Sequence, residues 1–340
     1  MTTLAPVRER RQESQVQELQ SDLAPLLQVG KLTTEFTTHD GKLRAVNDVS
    51  LNVAPGKVLA ILGESGSGKS MLLRTILGIQ PGSAKTSGEV VMNGVNLLNM
   101  DAGERERIRG TWLAMIFQDP MTALDPLFTV EQQIVETIRR HTQMSRAEAS
   151  ARALELLQLV QIPSPERRLK AYPFELSGGM RQRVVIAIAL ACSPSLLLAD
   201  EPTTSLDVTV QARVLSLLRD LQAKLGMGMI LVTHDLAVAA AIADDIAVMY
   251  AGRIVEYGSA REIARRPHHQ YTQGLLAANV RPGQVLRPEA IPGSPPNLAH
   301  LPGGCAFAPR CAVAEERCWD EVPELRSLGG SQMSRCLLTA

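Results

Sequence analysis

Positions 63–70 read Gly-Glu-Ser-Gly-Ser-Gly-Lys-Ser, set between an apolar run, KVLAIL, and a stretch with helical spacing, MLLRTILG. No other feature of the chain constrains the fold as much. Glycines free the backbone for positive φ, so that successive N–H groups converge on one anion. The pattern G-x-x-x-x-G-K-S adds a lysine, Lys69, that reaches the outer phosphates, and a hydroxyl, Ser70, that ligates Mg²⁺. A helix starting there points its positive end at the same anion. Strand, loop and helix in that order make a nucleotide cradle in an α/β fold. The expected binding set is Gly63, Glu64, Ser65, Gly66, Ser67, Gly68, Lys69 and Ser70, with no role given to Met71.

The rest of the chain agrees with that class. LLQVGKLTTEF and AVNDVSLNV are β-like runs ahead of the loop, and Pro55-Gly56 marks a turn. From about Asp101 to Leu190 the chain is helix-rich; SRAEASARALELLQLVQI has apolar residues at helical spacing and Ser145 as its N-cap. Strands return at SLLLAD and GMILVTH, each after a helical stretch, which predicts a mostly parallel sheet. IAVMYAGRIVEYG reads as a hairpin turning at Ala251-Gly252. Three parts are expected: a polar leader at 1–25, a main domain at 26–265 with a helical subdomain at about 101–190, and a Pro- and Gly-dense, loop-rich extension at 266–340.

Charge and apolar content narrow the function. Lys+Arg and Asp+Glu both number 35, which argues against bulk electrostatic binding to nucleic acid. Five Phe and four Tyr leave little for stacking bases. The most apolar stretch, VVIAIALACSPSLLLAD, is broken by Ser193, Pro194 and Ser195, so neither half approaches the roughly 20 apolar residues of a membrane span. The N-terminus carries charge and glutamine where a signal peptide has its apolar core. A soluble protein of a reducing, intracellular compartment is expected.

LLLADEP offers the second half of a hydrolytic site. Asp200 closes an apolar strand and is placed to hold Mg²⁺; Glu201 beside it is placed to polarise an attacking water. In ELSGGMRQRVVIAIAL, Ser177, Gly178 and Gly179 open an arginine-bearing helix, a second anion site. One chain then carries two phosphate-binding elements for one nucleotide. The simplest resolution is a dimer in which each Ser-Gly-Gly reaches the nucleotide held by the partner.

The extension holds Cys305, Cys311, Cys318 and Cys336, four of five cysteines, spaced C-x5-C-x6-C-x17-C. A reducing compartment disfavours disulfides. Zinc suits four thiolates, although its structural motifs have tighter pairs. A [4Fe–4S] cluster tolerates wider spacing, and four free thiols are a further alternative. Cys192, in an apolar helical run, is expected to be an inert core residue.

GESGSGKS, FQDPMTALDP, LSGGMRQRV, LLLADEPTTSLD and LVTHD stand in the order and spacing of ATP-binding-cassette ATPases, which the chain resembles from about residue 26 to its end. The resemblance implies a P-loop nucleotide-binding domain with a mixed sheet core and a helical subdomain, using ATP and Mg²⁺. It implies that Gln118 senses the γ-phosphate and Mg²⁺ and couples to a transmembrane partner, and that the magnesium is held through Ser70, Gln118 and Asp200. Asp207, with Ser205, would link the two sites of a dimer, and His234 would contact the γ-phosphate. Met180 stands where the family commonly has Gln. The usual aromatic adenine platform is missing from THDGKLRAV, leaving His39 or Arg44 as substitutes.

RRPHHQYTQGLLAANV and IPGSPPNLAHLPGGCAFAPRC resemble the C-terminal region of oligopeptide and dipeptide importer ATPases, most closely the first ATPase of the oligopeptide system. Gln270 stands where many members have Pro. That likeness implies a peripheral subunit on the cytoplasmic face of the inner membrane. Its partners would be a second ATPase in a heterodimer, two permeases and an extracytoplasmic peptide-binding protein. It also favours the [4Fe–4S] cluster, held by Cys305, Cys311, Cys318 and Cys336, as a structural clamp. Alternatives are a soluble cassette ATPase acting on nucleic acid or ribosomes, an importer of nickel or another small solute, and an iron–sulfur sensor that uses ATP for regulation.

Overall fold

The computed structural model describes residues 24–39, 41–204, 206–278 and 290–339; most of the polar leader and Ser205 lie outside them. Among the described residues twelve strands form two sheets. β1 (Leu27–Thr38), β2 (Gly41–Val53), β4 (Ala84–Met92) and β5 (Val95–Asn96) make an antiparallel sheet in the order β2-β1-β4-β5. The larger sheet has the order β11-β12-β10-β9-β3-β8-β7-β6. Its members are β3 (Val58–Leu62), β6 (Leu113–Ile116), β7 (Leu196–Asp200), β8 (Gly228–Thr233), β9 (Asp245–Tyr250), β10 (Arg253–Ser259), β11 (Arg326–Gly329) and β12 (Gln332–Ser334).

The five strands from β9 to β6 run parallel, and β10, β12 and β11 continue antiparallel. β3, β7 and β8 are buried along their whole length, which is why their sequences are continuous apolar runs rather than alternating ones. A parallel sheet places the C-terminal ends of neighbouring strands at one edge, where the connecting loops gather. β4, β5, β6, β11 and β12 are absent from the sequence-based expectations, and β6 lies nearest the site. Its four residues, Leu-Ala-Met-Ile, sit within the helix-rich run and are too short to show a period of their own.

Helices cover the sheet where local signals place them. Ser145 caps the helix Arg146–Leu159 with a reciprocal bond to Glu148, as its position predicts. That helix packs with Val130–His141 and Gly178–Ala189 around an apolar cluster that includes Ile134, Ile138, Leu156 and Val184. The β9–β10 hairpin turns at Ala251 (φ 49°) and Gly252 (φ 80°), both left-handed, which matches the strand twist.

The segment from Ala290 onward does not stand apart from the rest of the sheet. β12 pairs with β10, adding the final hairpin to the central sheet. Phe307, from the cysteine-rich stretch, is buried with Tyr250 and Tyr271, its ring edge-on to Tyr250 at 5.3 Å. His269 is fully buried against Phe307, and burial lowers its pKa to about 4, so its Nδ1 accepts the Tyr271 N–H at 3.1 Å.

Candidate active site

Helix Lys69–Leu77 begins where the loop after β3 ends. Gly68 has φ 103°, and a Cβ there would lie 2.1 Å from the Ala45 carbonyl oxygen. At Gly63 the same atom would lie 2.3 Å from the carbonyl oxygen of Met249. The loop is therefore wedged between two strands, and only glycine fits at either end. Lys69 is 5 % exposed, and its ammonium donates to the carbonyls of Gly63 (2.7 Å) and Glu64 (2.8 Å). Burial pulls its pKa down; Glu201, Asp200 and Glu64 pull it back up.

Ser70 Oγ donates to Asp200 Oδ1 at 2.9 Å, joining the first turn of that helix to the end of β7. Burial raises the Asp200 pKa, the Ser70 bond lowers it, and the Glu201 charge raises it again. A buried carboxylate with a hydroxyl beside it is suited to a small divalent cation, which would supply the missing countercharge. Ser70 and Asp200 are the pair that fits Mg²⁺.

Glu201 follows directly in a left-handed conformation (φ 45°), a strain of about 1 kcal/mol for a non-glycine residue. Its Oε2 accepts from Gln118 Nε2 at 3.2 Å and from Thr204 Oγ1 at 2.8 Å, with His234 Nδ1 3.4 Å away. The sheet order explains this convergence. Gln118 follows β6, Glu201 follows β7 and His234 follows β8, three adjacent parallel strands that end on one side. Thr204 is absent from the sequence reading; its signal was the three-residue offset from Glu201. Arg74, Phe117, Gln118, Asp119 and Asp200 line a groove beside this cluster.

The remaining candidates lie in several places. Ser177 is exposed at the start of helix Gly178–Ala189 and its hydroxyl makes no capping bond. Gly179 packs so closely on the following helix that a Cβ would meet Val210 Cγ1 at 2.7 Å. Among the described residues no hydrogen bond joins residues 177–179 to the phosphate loop of the same chain. Asp207 caps the helix Val208–Leu225, accepting from the N–H groups of Thr209 and Val210. Arg44 is paired with Glu35 at 3.0 Å on the first sheet. His39 sits in the turn between β1 and β2.

The four C-terminal cysteines are free thiols, Cys318 and Cys336 buried, Cys305 and Cys311 half-buried. Cys305 N–H donates to the Cys318 carbonyl at 2.8 Å. Burial pushes the Cys305 and Cys311 thiols up, and both also feel Cys318 and Cys336; N–H groups of Phe307 and Val313, directed at the two sulfurs, work the other way. No group of three or more His, Cys, Asp or Glu able to hold a metal ion stands among the described residues. Cys192 is half-buried against the helical core, its thiol 3.8 Å from the Thr137 carbonyl.

Comparison with known proteins follows the same lines. Residues 46–204 match the ABC transporter family, and residues 255–318 match the C-terminal region of oligopeptide/dipeptide transporters. The oligopeptide transport ATP-binding protein OppD of Escherichia coli is 45% identical over 314 residues, spanning 92% of each chain. The chain belongs to the ABC transporter ATPases. OppD of Haemophilus influenzae is 44% identical to this cassette ATPase over 317 residues, spanning 93% of this chain and 98% of that one. A solved ATP-binding cassette, a dimer in a post-hydrolysis state bound to ADP and Pi, superposes with a TM-score of 0.62 at 31% identity. It covers 69% of this cassette ATPase and 99% of its own chain. The expected α/β cassette with a mixed sheet is the fold observed, and as an ABC ATPase the chain binds and hydrolyses ATP. Among the described residues no helix is long and apolar enough to cross a membrane.

Proposed function

We propose that this ABC ATPase powers the import of oligopeptides or dipeptides through two permease subunits at the cytoplasmic face of the inner membrane. The observation that carries the reading is the match of residues 255–318 to the C-terminal region of oligopeptide/dipeptide transporters, joined to the cluster of Gln118, Thr204 and His234 around Glu201. Lys69 binds the outer phosphates, Ser70, Asp200 and Gln118 hold Mg²⁺, and Glu201 polarises the water that attacks the γ-phosphate. His234 is placed to bond the γ-phosphate and to hold the Glu201 carboxylate in line. Ser177, Gly178 and Gly179 complete the site of a second ATPase subunit, which suits the exposure of Ser177 and Gly178 and the dimeric form of the related solved cassette.

Leu127 and Phe174 are 79% and 70% exposed, with Phe128 and the Tyr172 ring, which stacks on Phe174, beside them in sequence. The Val130 N–H ties the first segment to the second at the Ala171 carbonyl. These outward apolar side chains are a surface for the permeases, so that closure on ATP moves them. The decisive experiment is ATP turnover with both permeases in vesicles and a separate external binding protein. Peptide-loaded binding protein should raise turnover and drive peptide uptake. Stimulation by RNA or ribosomes without permeases would overturn the reading, and stimulation by nickel in place of peptide would restrict it to another solute.

Cys305, Cys311, Cys318 and Cys336 are proposed to hold a [4Fe–4S] cluster that clamps the C-terminal segment. Supporting this are four cysteines outside any disulfide, two buried and two half-buried, with the Cys305 N–H bonded to the Cys318 carbonyl at 2.8 Å, and backbone N–H groups directed at the Cys305 and Cys311 sulfurs, a frequent setting for cluster ligands. Protein purified without oxygen is expected to carry about four iron and four sulfide per chain, lost on Cys→Ser change at these positions. Stoichiometric zinc, or no metal, would reject the cluster.

A further inference from the structure

Every polar group of Glu64, the second residue of the phosphate loop, is engaged, and the C-terminal segment supplies most of the contacts. Its N–H donates to the Tyr271 hydroxyl at 2.7 Å, and its carbonyl accepts from Lys69 at 2.8 Å. Its carboxylate takes both terminal nitrogens of Arg310, at 2.7 and 3.0 Å. Arg310 immediately precedes Cys311 in the cysteine-rich stretch, and its side chain is 5% exposed. Its Nε donates to the Pro292 carbonyl at 2.9 Å, and its guanidinium stands over the rings of Tyr250 and Phe307. The fork is thus locked on three sides before it meets the carboxylate.

A phosphate loop rich in glycine has little shape of its own. Between β3 and helix Lys69–Leu77 the Ser67 N–H bonds the Glu64 carbonyl at 3.2 Å, a single turn closed on Glu64 itself. The Ser67 carbonyl is also held by the Gly252 N–H at 2.9 Å, so Glu64 is one of the anchors that set the N–H groups following it. A planar, bidentate, charge-assisted pair in a shielded place gives direction as well as attraction, which lysine would not reproduce.

We propose that Arg310 is a positioning residue of the ATP site: through Glu64 it sets the conformation of the phosphate loop, so that the four-cysteine segment determines how tightly the cassette binds ATP. The proposal rests on the reading of residues 63–70 as the phosphate site. A mere staple for the C-terminal segment would affect stability and leave nucleotide affinity alone.

The test is ATP affinity, KM and kcat in the full chain for Arg310→Met, Arg310→Lys, Glu64→Gln and the Met/Gln double variant, with thermal midpoints. Arg310→Met is expected to weaken ATP binding and raise KM by about tenfold, with kcat changed less than about twofold. Glu64→Gln should act in the same direction. The double variant should be no worse than the poorer single one, since both remove one contact. Arg310→Lys should recover part of the loss. Unchanged KM in Arg310→Met and Glu64→Gln, with only a lower thermal midpoint, would overturn the proposal. If Arg310→Met does not fold, the near-isosteric Glu64→Gln decides alone. Lys69→Ala separates the two levels. Lost binding there but normal binding in Arg310→Met and Glu64→Gln sinks only the role of Arg310, whereas normal binding in Lys69→Ala sinks the phosphate-site reading beneath it.

Discussion

Glu201→Gln is expected to lower ATP turnover by about a hundredfold or more while ATP binding persists, leaving the cassette trapped with nucleotide bound. The amide keeps the size of the carboxylate and still accepts a hydrogen bond from Thr204, which stands 2.8 Å from Oε2. It removes the negative charge proposed to draw a proton from water. The loss is expected to fall on the chemical step, and the proper measurement is single-turnover hydrolysis beside ATP retention on the purified protein. Turnover within a few-fold of the parent would show that another group activates the water. Thr204→Val gives a graded companion: Gln118 at 3.2 Å and His234 at 3.4 Å would still flank the carboxylate, so a smaller loss is expected.

Lys69→Ala is expected to weaken ATP binding by about a hundredfold, close to 2.7 kcal/mol. The ammonium is 5 % exposed and shares its surroundings with Asp200 and Glu201, so water screens it little. Its removal leaves those carboxylates and the incoming phosphates without their principal cation within the loop. Equilibrium binding of a fluorescent ATP analogue with Mg²⁺ measures this directly. Affinity close to that of the parent would refute the role given to the loop lysine. The comparison with Glu201→Gln is informative because one change strikes binding and the other strikes chemistry, although the two side chains lie in one pocket.

Residues that carry chemistry through local pattern were legible at once. Gly63, Gly68, Lys69 and Ser70 sit in one short stretch whose spacing states its own geometry, and Ser145 announces its helix through the Glu148 three positions on. Glu201 and Asp200 could be read because a buried strand ends there. Gln118 and His234 were legible through family likeness; their meeting at the Glu201 carboxylate follows from the order β6-β7-β8. Thr204 was missed because a threonine three residues after a glutamate is too common an offset to mark a site. β6 was missed because four apolar residues hold too little periodicity to distinguish a strand from its helical surroundings.

The C-terminal extension shows the limit most clearly. Its cysteines, prolines and glycines are visible in the sequence as a change of texture, and the strip from Gly304 to Cys318 marks it as special. That its last hairpin extends the catalytic sheet, and that Tyr271 and Arg310 hold Glu64 across separations of 207 and 246 residues, could not be read there. The phosphate loop, the acidic strand end and the class of fold are written in the order of residues, because each depends on neighbours within a few positions. Which distant side chains close on them emerges once the chain is folded, because an arginine's partner depends on where the sheet places a carboxylate and not on its neighbours along the chain.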